Sequence, residues 1–202
     1  MFVKVCGITN REDALAAAEA GADAIGFNFY RDSPRYVSPT GAAVITAKLP
    51  RNTLRVGIFV DETPERIAAI SIEAGIDIAQ LYGISECPSL RVWRAVAIRE
   101  ATEIATVEGQ NAEAFLLDTP SSELLGGTGR TFPWRVAREA AQLTTRKIIL
   151  AGGLDESNVQ QAIEEALPWG VDVCSRIEKE PGRKDHQRMK KFIEAAHAGR
   201  PE

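Results

Sequence analysis

Short runs of β-branched and other apolar residues alternate along this chain with longer Ala- and Glu-rich stretches whose apolar positions recur at helical spacing. The apolar runs predict strands at Phe2 to Cys6, Ala24 to Phe29, Arg55 to Val60, Ile78 to Leu81, Val92 to Ile98, Ala114 to Leu117, Lys147 to Ala151 and Val171 to Cys174. Between them lie predicted helices. Arg11 to Ala20 has Thr9 or Asn10 as its cap and Gly21 as its stop. Gly41 to Lys48 is the second. Thr63-Pro64-Glu65 opens a third, with Pro in its first turn, that ends at Gly75. A short, ragged helix is expected around Ser85 to Leu90, and longer ones over Trp134 to Thr144, Asp155 to Ala166 and Asp185 to Ala198.

Eight strand-helix units share 202 residues, about 25 residues each, with no linker or change of composition between them. Alternating β and α with short connections implies a parallel sheet. A strand such as Lys147-Ile148-Ile149-Leu150-Ala151 is apolar throughout, as befits a sheet covered on both faces. The expected fold is α/β, a single (β/α)8 barrel domain over residues 1–202. A doubly wound open sheet is the rival. It is disfavoured because no GxGxxG follows the first strand and no acidic residue stands in the ribose position.

Composition narrows the function classes. With 45% hydrophobic residues and a net charge of −4, the chain is not disordered, and it lacks the basic face of a nucleic-acid binder. A local cationic site remains compatible with that balance, because net charge does not report local fields. No apolar run approaches the roughly 18 residues of a membrane helix, and the N-terminus does not read as a signal peptide. The three cysteines, Cys6, Cys87 and Cys174, form neither a disulfide framework nor a metal knuckle, so a reducing, cytoplasmic setting is expected. His186 and His197 are the only two histidines, which disfavours a His-based metal site or a Ser-His-Asp triad.

Active sites of such barrels lie at the C-terminal ends of the strands. The residues there are Cys6, Asn28, Asp61, Tyr82, Arg99, Asp118, Gly152-Gly153 and Ser175-Arg176. Cys6 and Asp118 could act as base and acid if their surroundings shift them in opposite senses. Each also has an ordinary reading, Cys6 as a small core residue and Asp118 as a turn cap. Cys174 reads as strand core, Cys87 as an inert loop residue, and both histidines as solvated. Glycines mark the loops after strands six and seven, at Gly126-Gly127-Thr128-Gly129 and Gly152-Gly153, and Ser175-Arg176 follows strand eight. Loops in these places, with backbone amides near helix N-termini, suit a phosphate.

These segments resemble one family in order. Lys4-Val5-Cys6-Gly7-Ile8-Thr9 is similar to the N-terminal signature of the phosphoribosylanthranilate isomerases. Gly26-Phe27, Ser33-Pro34-Arg35-Tyr36-Val37-Ser38-Pro39 and Gly57-Ile58-Phe59-Val60 follow. Then come Leu117-Asp118-Thr119, Gly126-Gly127-Thr128-Gly129 and Phe132-Pro133-Trp134. Leu150-Ala151-Gly152-Gly153-Leu154, Asn158-Val159 and Gly170-Val171-Asp172-Val173 complete the set, which runs end to end.

The resemblance implies an Amadori rearrangement in tryptophan biosynthesis. N-(5-phosphoribosyl)anthranilate becomes 1-(2-carboxyphenylamino)-1-deoxyribulose 5-phosphate. It casts Asp118 as general acid on the ribose ring oxygen and Cys6 as the thiolate base that takes the C2′ proton. Arg35 is cast as the anchor of the anthranilate carboxylate. Tyr82, Gly129, Gly152, Gly153, Asp172, Ser175 and Arg176 are carried over as further substrate-binding positions. No cofactor and no metal is expected. The implied partner is a small phosphorylated substrate, with no nucleic acid and no membrane, and the chain is expected to be a monomer or homodimer.

Two positions depart from the family pattern. Gln80-Leu81-Tyr82-Gly83 stands where the family usually reads Gln-Leu-His-Gly, which removes an imidazole beside the substrate. Cys174-Ser175-Arg176-Ile177-Glu178 stands where it usually reads Ser-Ser-Gly-Val-Glu. Arg176 there either clamps the phosphate by charge or obstructs it. Two alternatives stay open: a histidine-pathway or dual-substrate phosphosugar isomerase, and a decayed homologue that only binds a phosphorylated ligand. The first is disfavoured because such enzymes use an aspartate where Cys6 stands, the second because Cys6, Asp118 and Arg35 are all intact.

Overall fold

The structure, a computed structural model, describes residues 1–83, 85–87, 89–118 and 133–199. Eight parallel strands succeed one another around a closed barrel. They are β1 (Phe2–Val5), β2 (Ala24–Asn28), β3 (Leu54–Val60), β4 (Ile78–Tyr82), β5 (Arg91–Ala97), β6 (Ala114–Asp118), β7 (Lys147–Leu150) and β8 (Gly170–Val173). The barrel closes where β1 pairs with β8, from Phe2 opposite Gly170 to Val5 opposite Val173. The closed parallel barrel is the fold expected from the alternation of apolar and helical segments.

Helices α1 (Arg11–Glu19), α2 (Pro39–Thr46), α3 (Pro64–Ala74), α4 (Trp134–Gln142), α5 (Val159–Ala166) and α6 (His186–Ala198) cover the outside. Side-chain caps set the starts of α1, α2, α3 and α6. The Asn10 carboxamide oxygen accepts from Asp13 N at 2.9 Å. The Ser38 hydroxyl accepts from Gly41 N at 3.0 Å, so α2 begins at Pro39, two residues before the position its apolar pattern suggests. Helix α5 starts later than expected. Asn158 first closes a turn by accepting from Asp155 N at 2.9 Å and donating to the Gly153 carbonyl at 3.0 Å.

Among the described residues one expected helix is missing, and two elements appear that were not expected. No helix forms among the described residues of the β4–β5 connection. A six-residue segment containing Pro88 is too short to sustain one, and Arg94 takes over by donating to the carbonyls of Gly83 and Ser85, each at 3.0 Å. After β5 the chain makes only a 3-10 turn, Ala101–Thr106. Beyond β8 an unpredicted hairpin appears, β9 (Glu178–Glu180) and β10 (Arg183–Lys184), whose strands are too short for a periodicity signal.

Strand parity divides the core in two. Val3, Val5, Ile25, Phe27, Leu117, Val171 and Val173 face the helices and are buried there. Ala24, Val56, Ile78, Trp93, Ala114, Leu116, Ile149 and Ala151 fill the barrel interior. At the N-terminal end Phe2 stacks on Trp169 at 4.3 Å and meets Trp93 edge-on at 5.8 Å, which seals that end. The same inward parity, continued to the other end, brings up Cys6, Tyr82, Asp118, Asp172 and Cys174.

Candidate active site

A pocket opens at the C-terminal mouth of the barrel. Cys6, Tyr82, Asp118, Asp172 and Cys174 line it from the strands, and Ser33, Pro34 and Arg35 from the β2–α2 loop. An adjoining hollow shares Asp118, Asp172 and Cys174 and is walled by Gly152, Gly153, Ser175 and Arg176. Nine of the ten substrate or catalytic positions expected from sequence therefore meet around one mouth. The tenth, Gly129, lies outside the described residues with the rest of Gly126–Gly129. Arg99, named only for its place at a strand end, is not among the lining residues.

Buried charge fixes the β1–β8 seam. Lys4 is fully buried inside the barrel and donates to Asp172 Oδ1 at 2.7 Å. Asp172 and Cys6 hold the Lys4 ammonium charged despite its burial. Burial pushes the Asp172 carboxyl up to about 7, with Lys4 opposing the shift. Cys6 follows β1 and is tied to β8 by its N–H, which donates to the Val173 carbonyl at 2.8 Å. Its thiol is raised well above the ordinary value by its hydrogen bond with Cys174 and by desolvation, while Lys4 pulls the other way. Gly26 belongs beside it because a Cβ there would stand 2.9 Å from Cys6 Sγ.

Cys174 needs a correction. Its pattern reads as strand core, yet it follows the last residue of β8 and faces the pocket beside Cys6. Its thiol is lowered to about 6, chiefly by the hydrogen bond from Cys6, then by Lys184 and Arg35. In the folded barrel Asp172 faces inward, and Cys174, two residues on, opens onto the same side.

The β2–α2 loop is held by Asn28 and Ser33. Asn28 donates to Ser33 Oγ at 3.1 Å and accepts from Tyr30 N at 2.9 Å, and Ser33 Oγ accepts from Arg35 N at 3.2 Å. This loop lays the Arg35 stem across Gly7. A Cβ at Gly7 would lie 2.6 Å from Arg35 Cδ, and the backbone there has φ +72, so only glycine fits. Arg35 donates through Nε and Nη2 to Glu178, at 2.9 and 2.7 Å. Glu178 also accepts from Lys184 Nζ at 2.8 Å. The guanidinium fork is thus taken by Glu178, a partner the sequence reading missed because β9 itself was unpredicted.

Tyr82 stands in the pocket wall with its phenol kept neutral, raised first by burial and then by the Asp118 charge. Gln80 Nε2 approaches its hydroxyl at 3.4 Å. Gly152 and Gly153 both adopt left-handed backbone, φ 79 and 69. Arg176 is half exposed above them, 4.0 Å from Asp155 Oδ2. Neither histidine lies in the pocket. His186 contacts Asp13 Oδ1 at 2.8 Å, and His197 contacts the Gly21 carbonyl at 3.2 Å, so both have partners rather than being simply solvated.

Comparison with known proteins identifies the family and the fold. The family described as N-(5'phosphoribosyl)anthranilate (PRA) isomerase matches residues 3–195. A Solibacter usitatus protein named N-(5'-phosphoribosyl)anthranilate isomerase is 51% identical, over 98% of both chains. Phosphoribosyl anthranilate isomerase from Thermotoga maritima superposes with a TM-score of 0.89 at 38% identity, covering 98% of this chain and 99% of that one. A structure of such an isomerase in complex with reduced 1-(o-carboxyphenylamino)-1-deoxyribulose 5-phosphate gives 0.85 at 36%, with the same coverage.

Proposed function

The chain belongs to the N-(5'phosphoribosyl)anthranilate isomerase family, and from that premise we infer that it converts N-(5-phosphoribosyl)anthranilate to 1-(2-carboxyphenylamino)-1-deoxyribulose 5-phosphate in tryptophan biosynthesis. One observation carries the residue assignment: a thiol and a carboxyl, Cys6 and Asp118, line a single pocket at the mouth of the barrel.

The chemistry divides between them. Asp118 donates a proton to the ribose ring oxygen, the ring opens, and C1′ becomes an iminium conjugated to the anthranilate nitrogen. The C2′ proton is thereby acidified. Cys6 removes it, and the enolamine formed tautomerises to the ketone. Arg35 receives the anthranilate carboxylate. Glu178 occupies Nε and Nη2, so the carboxylate engages through Nη1 or displaces one Glu178 contact. Gly152, Gly153 and Ser175 offer backbone amides to the phosphate, and Arg176 adds charge. Asp172 positions Lys4 behind Cys6, and Tyr82 offers its hydroxyl to the substrate. Residues 1–202 act as one domain, as a monomer or homodimer, in the cytoplasm. Among the described residues no helix is long and apolar enough to cross a membrane.

A fluorescence assay of phosphoribosylanthranilate consumption tests the proposal. The parent turns over, while Cys6→Ser and Asp118→Asn each lose on the order of 10²–10⁴ in kcat, as expected on removing a general base or acid. Full activity in either variant would reject that residue's role, and an inactive parent would reject the reaction.

A further inference from the structure

We propose that Cys6 and Cys174 form one proton-sharing dithiol in which Cys174 carries the resting negative charge and positions Cys6 to act as base. The inference rests on the assignment of Cys6 in the reaction above. It goes beyond that assignment by placing a second thiol in the proton path.

The geometry comes from the barrel seam. Val5 pairs with Val173, so Cys6 and Cys174 are the next residues in register on neighbouring strands, with the same inward parity. Both line the pocket, and Lys184 Nζ stands 3.9 Å from Cys174 Sγ. A Cβ at Gly7 would lie 2.8 Å from Cys174 Sγ, so the main chain just after Cys6 packs directly on the second thiol.

The charges facing the pair come from every element around it. On the Cys6 side stands Lys4 of β1, paired with Asp172 of β8. On the Cys174 side stand Lys184 of β10, which donates to the Cys174 carbonyl at 3.0 Å with its thiol at 3.9 Å, and Arg35 of the β2–α2 loop. Glu178 of β9 opposes them, and Tyr82 of β4 faces both sulfurs. The cations therefore stabilise one negative charge on the pair, and two adjacent thiolates would repel, so the dithiol keeps one proton. Lys184 Nζ, 3.9 Å from Cys174 Sγ, and the Arg35 stem, packed with that sulfur over Gly7, put the cations on the Cys174 side, so the charge rests there; the lowered Cys174 thiol has the same sense.

In turnover the C2′–H bond breaks and its electron pair becomes the C1′=C2′ double bond, while the iminium π pair returns to nitrogen. The C2′ proton passes to Cys6 as the proton Cys6 held passes to the Cys174 thiolate. The site gains one proton and loses one negative charge, and both reverse when the ketone forms.

Cys174→Ser and Cys174→Ala test this in the full chain, through the pH profile of kcat/KM and the ultraviolet absorbance of thiolate. The expected result is an acid limb displaced upward by about 1–2 pH units. Activity then falls ~10–100-fold near pH 6 but changes less than ~3-fold near pH 9. A profile that overlays the parent, or a loss uniform across pH, overturns the proposal. Cys6→Ser separates the two levels of inference. If it retains turnover, the base assignment itself fails. If it is inactive and the Cys174 variants keep the parental profile, only the shared proton fails. Alkylation of the parent at about pH 6.5 is a further readout that needs no variant. One thiol of the pair should react well before Cys87, and equal rates at all three cysteines would also overturn the proposal.

Discussion

The two walls of the barrel mouth are built on different principles. The thiol wall is fixed by buried side-chain charge. Lys4 pairs with Asp172 inside the barrel, and Arg35 and Lys184 converge on Glu178. The anion wall is fixed by backbone, through two glycines in left-handed conformation and Asn158 bonded to the Gly153 carbonyl. Side-chain charge in a dry interior has few alternative arrangements, so the thiol wall should tolerate almost no change. A backbone cradle is indifferent to much of what surrounds it. That is why Arg176 can occupy a position where the family resemblance leads one to expect glycine while Gly152 and Gly153 keep their left-handed backbone.

The largest expected effect tests the first half of the contrast. Lys4→Met leaves Asp172 buried without its cation, a change that typically costs about 3–5 kcal/mol. The sign of its pH dependence follows from Asp172. Its folded value, about 7, lies above the unfolded value near 4, so its contribution to stability is fully present below about pH 4 and lost as pH rises through 7. Without Lys4 the loss deepens at high pH, because a neutral carboxyl is easier to bury than a charged one. Thermal unfolding at about pH 5 and pH 8 measures the difference, and Lys4→Met combined with Asp172→Leu should recover most of the loss. If the single variant were as stable as the parent at pH 8, the thiol wall would not be wired by charge.

A middle-sized effect tests the other wall. Gly152→Ala forces a Cβ into left-handed backbone, which costs roughly 1–2 kcal/mol, against the larger loss at Lys4. The same strain would tilt the amides assigned above to the phosphate. KM should therefore rise more than kcat falls, whereas changes at the thiol wall act on kcat. Steady-state kinetics with a parallel melting curve checks both, and a fall in kcat at constant KM would show that the two walls are not separable.

The same division explains what the sequence disclosed. Strands, barrel closure, Cys6, Asp118 and the Gly152-Gly153 loop were legible, because each leaves a local mark: an apolar run, a polar residue at its end, or a paired glycine. Glu178, Lys4 and the orientation of Cys174 were not. Lys4 looks like a surface residue in an exposed strand start until closure of the barrel buries it. Glu178 gains its role only when the short hairpin of β9 and β10 folds back onto Arg35, a contact spanning 143 positions. Cys174 carries an apolar neighbour pattern that suits either face, and only its register against Cys6 decides which. The missing β4–β5 helix has the same origin, since Arg94 satisfies that loop from the far side of the strand.

The smallest effects are expected at the two departures from the family pattern, where the contrast between the walls is sharpest. Tyr82 belongs to the charged wall and is half-buried, so Tyr82→His introduces a titrating ring next to Asp118 and should change kcat with pH around neutrality. Arg176 is half exposed on the backbone wall, 4.0 Å from Asp155 Oδ2, and on the proposed function its charge would act on the phosphate through solvent. Arg176→Gly should raise KM about 3–10-fold at low ionic strength, and the difference should shrink as salt screens it, with kcat unchanged. Kinetics at two salt concentrations decide the matter. A KM that falls instead would mean that the side chain obstructs the phosphate, and that this wall depends on side chains as much as on its glycines.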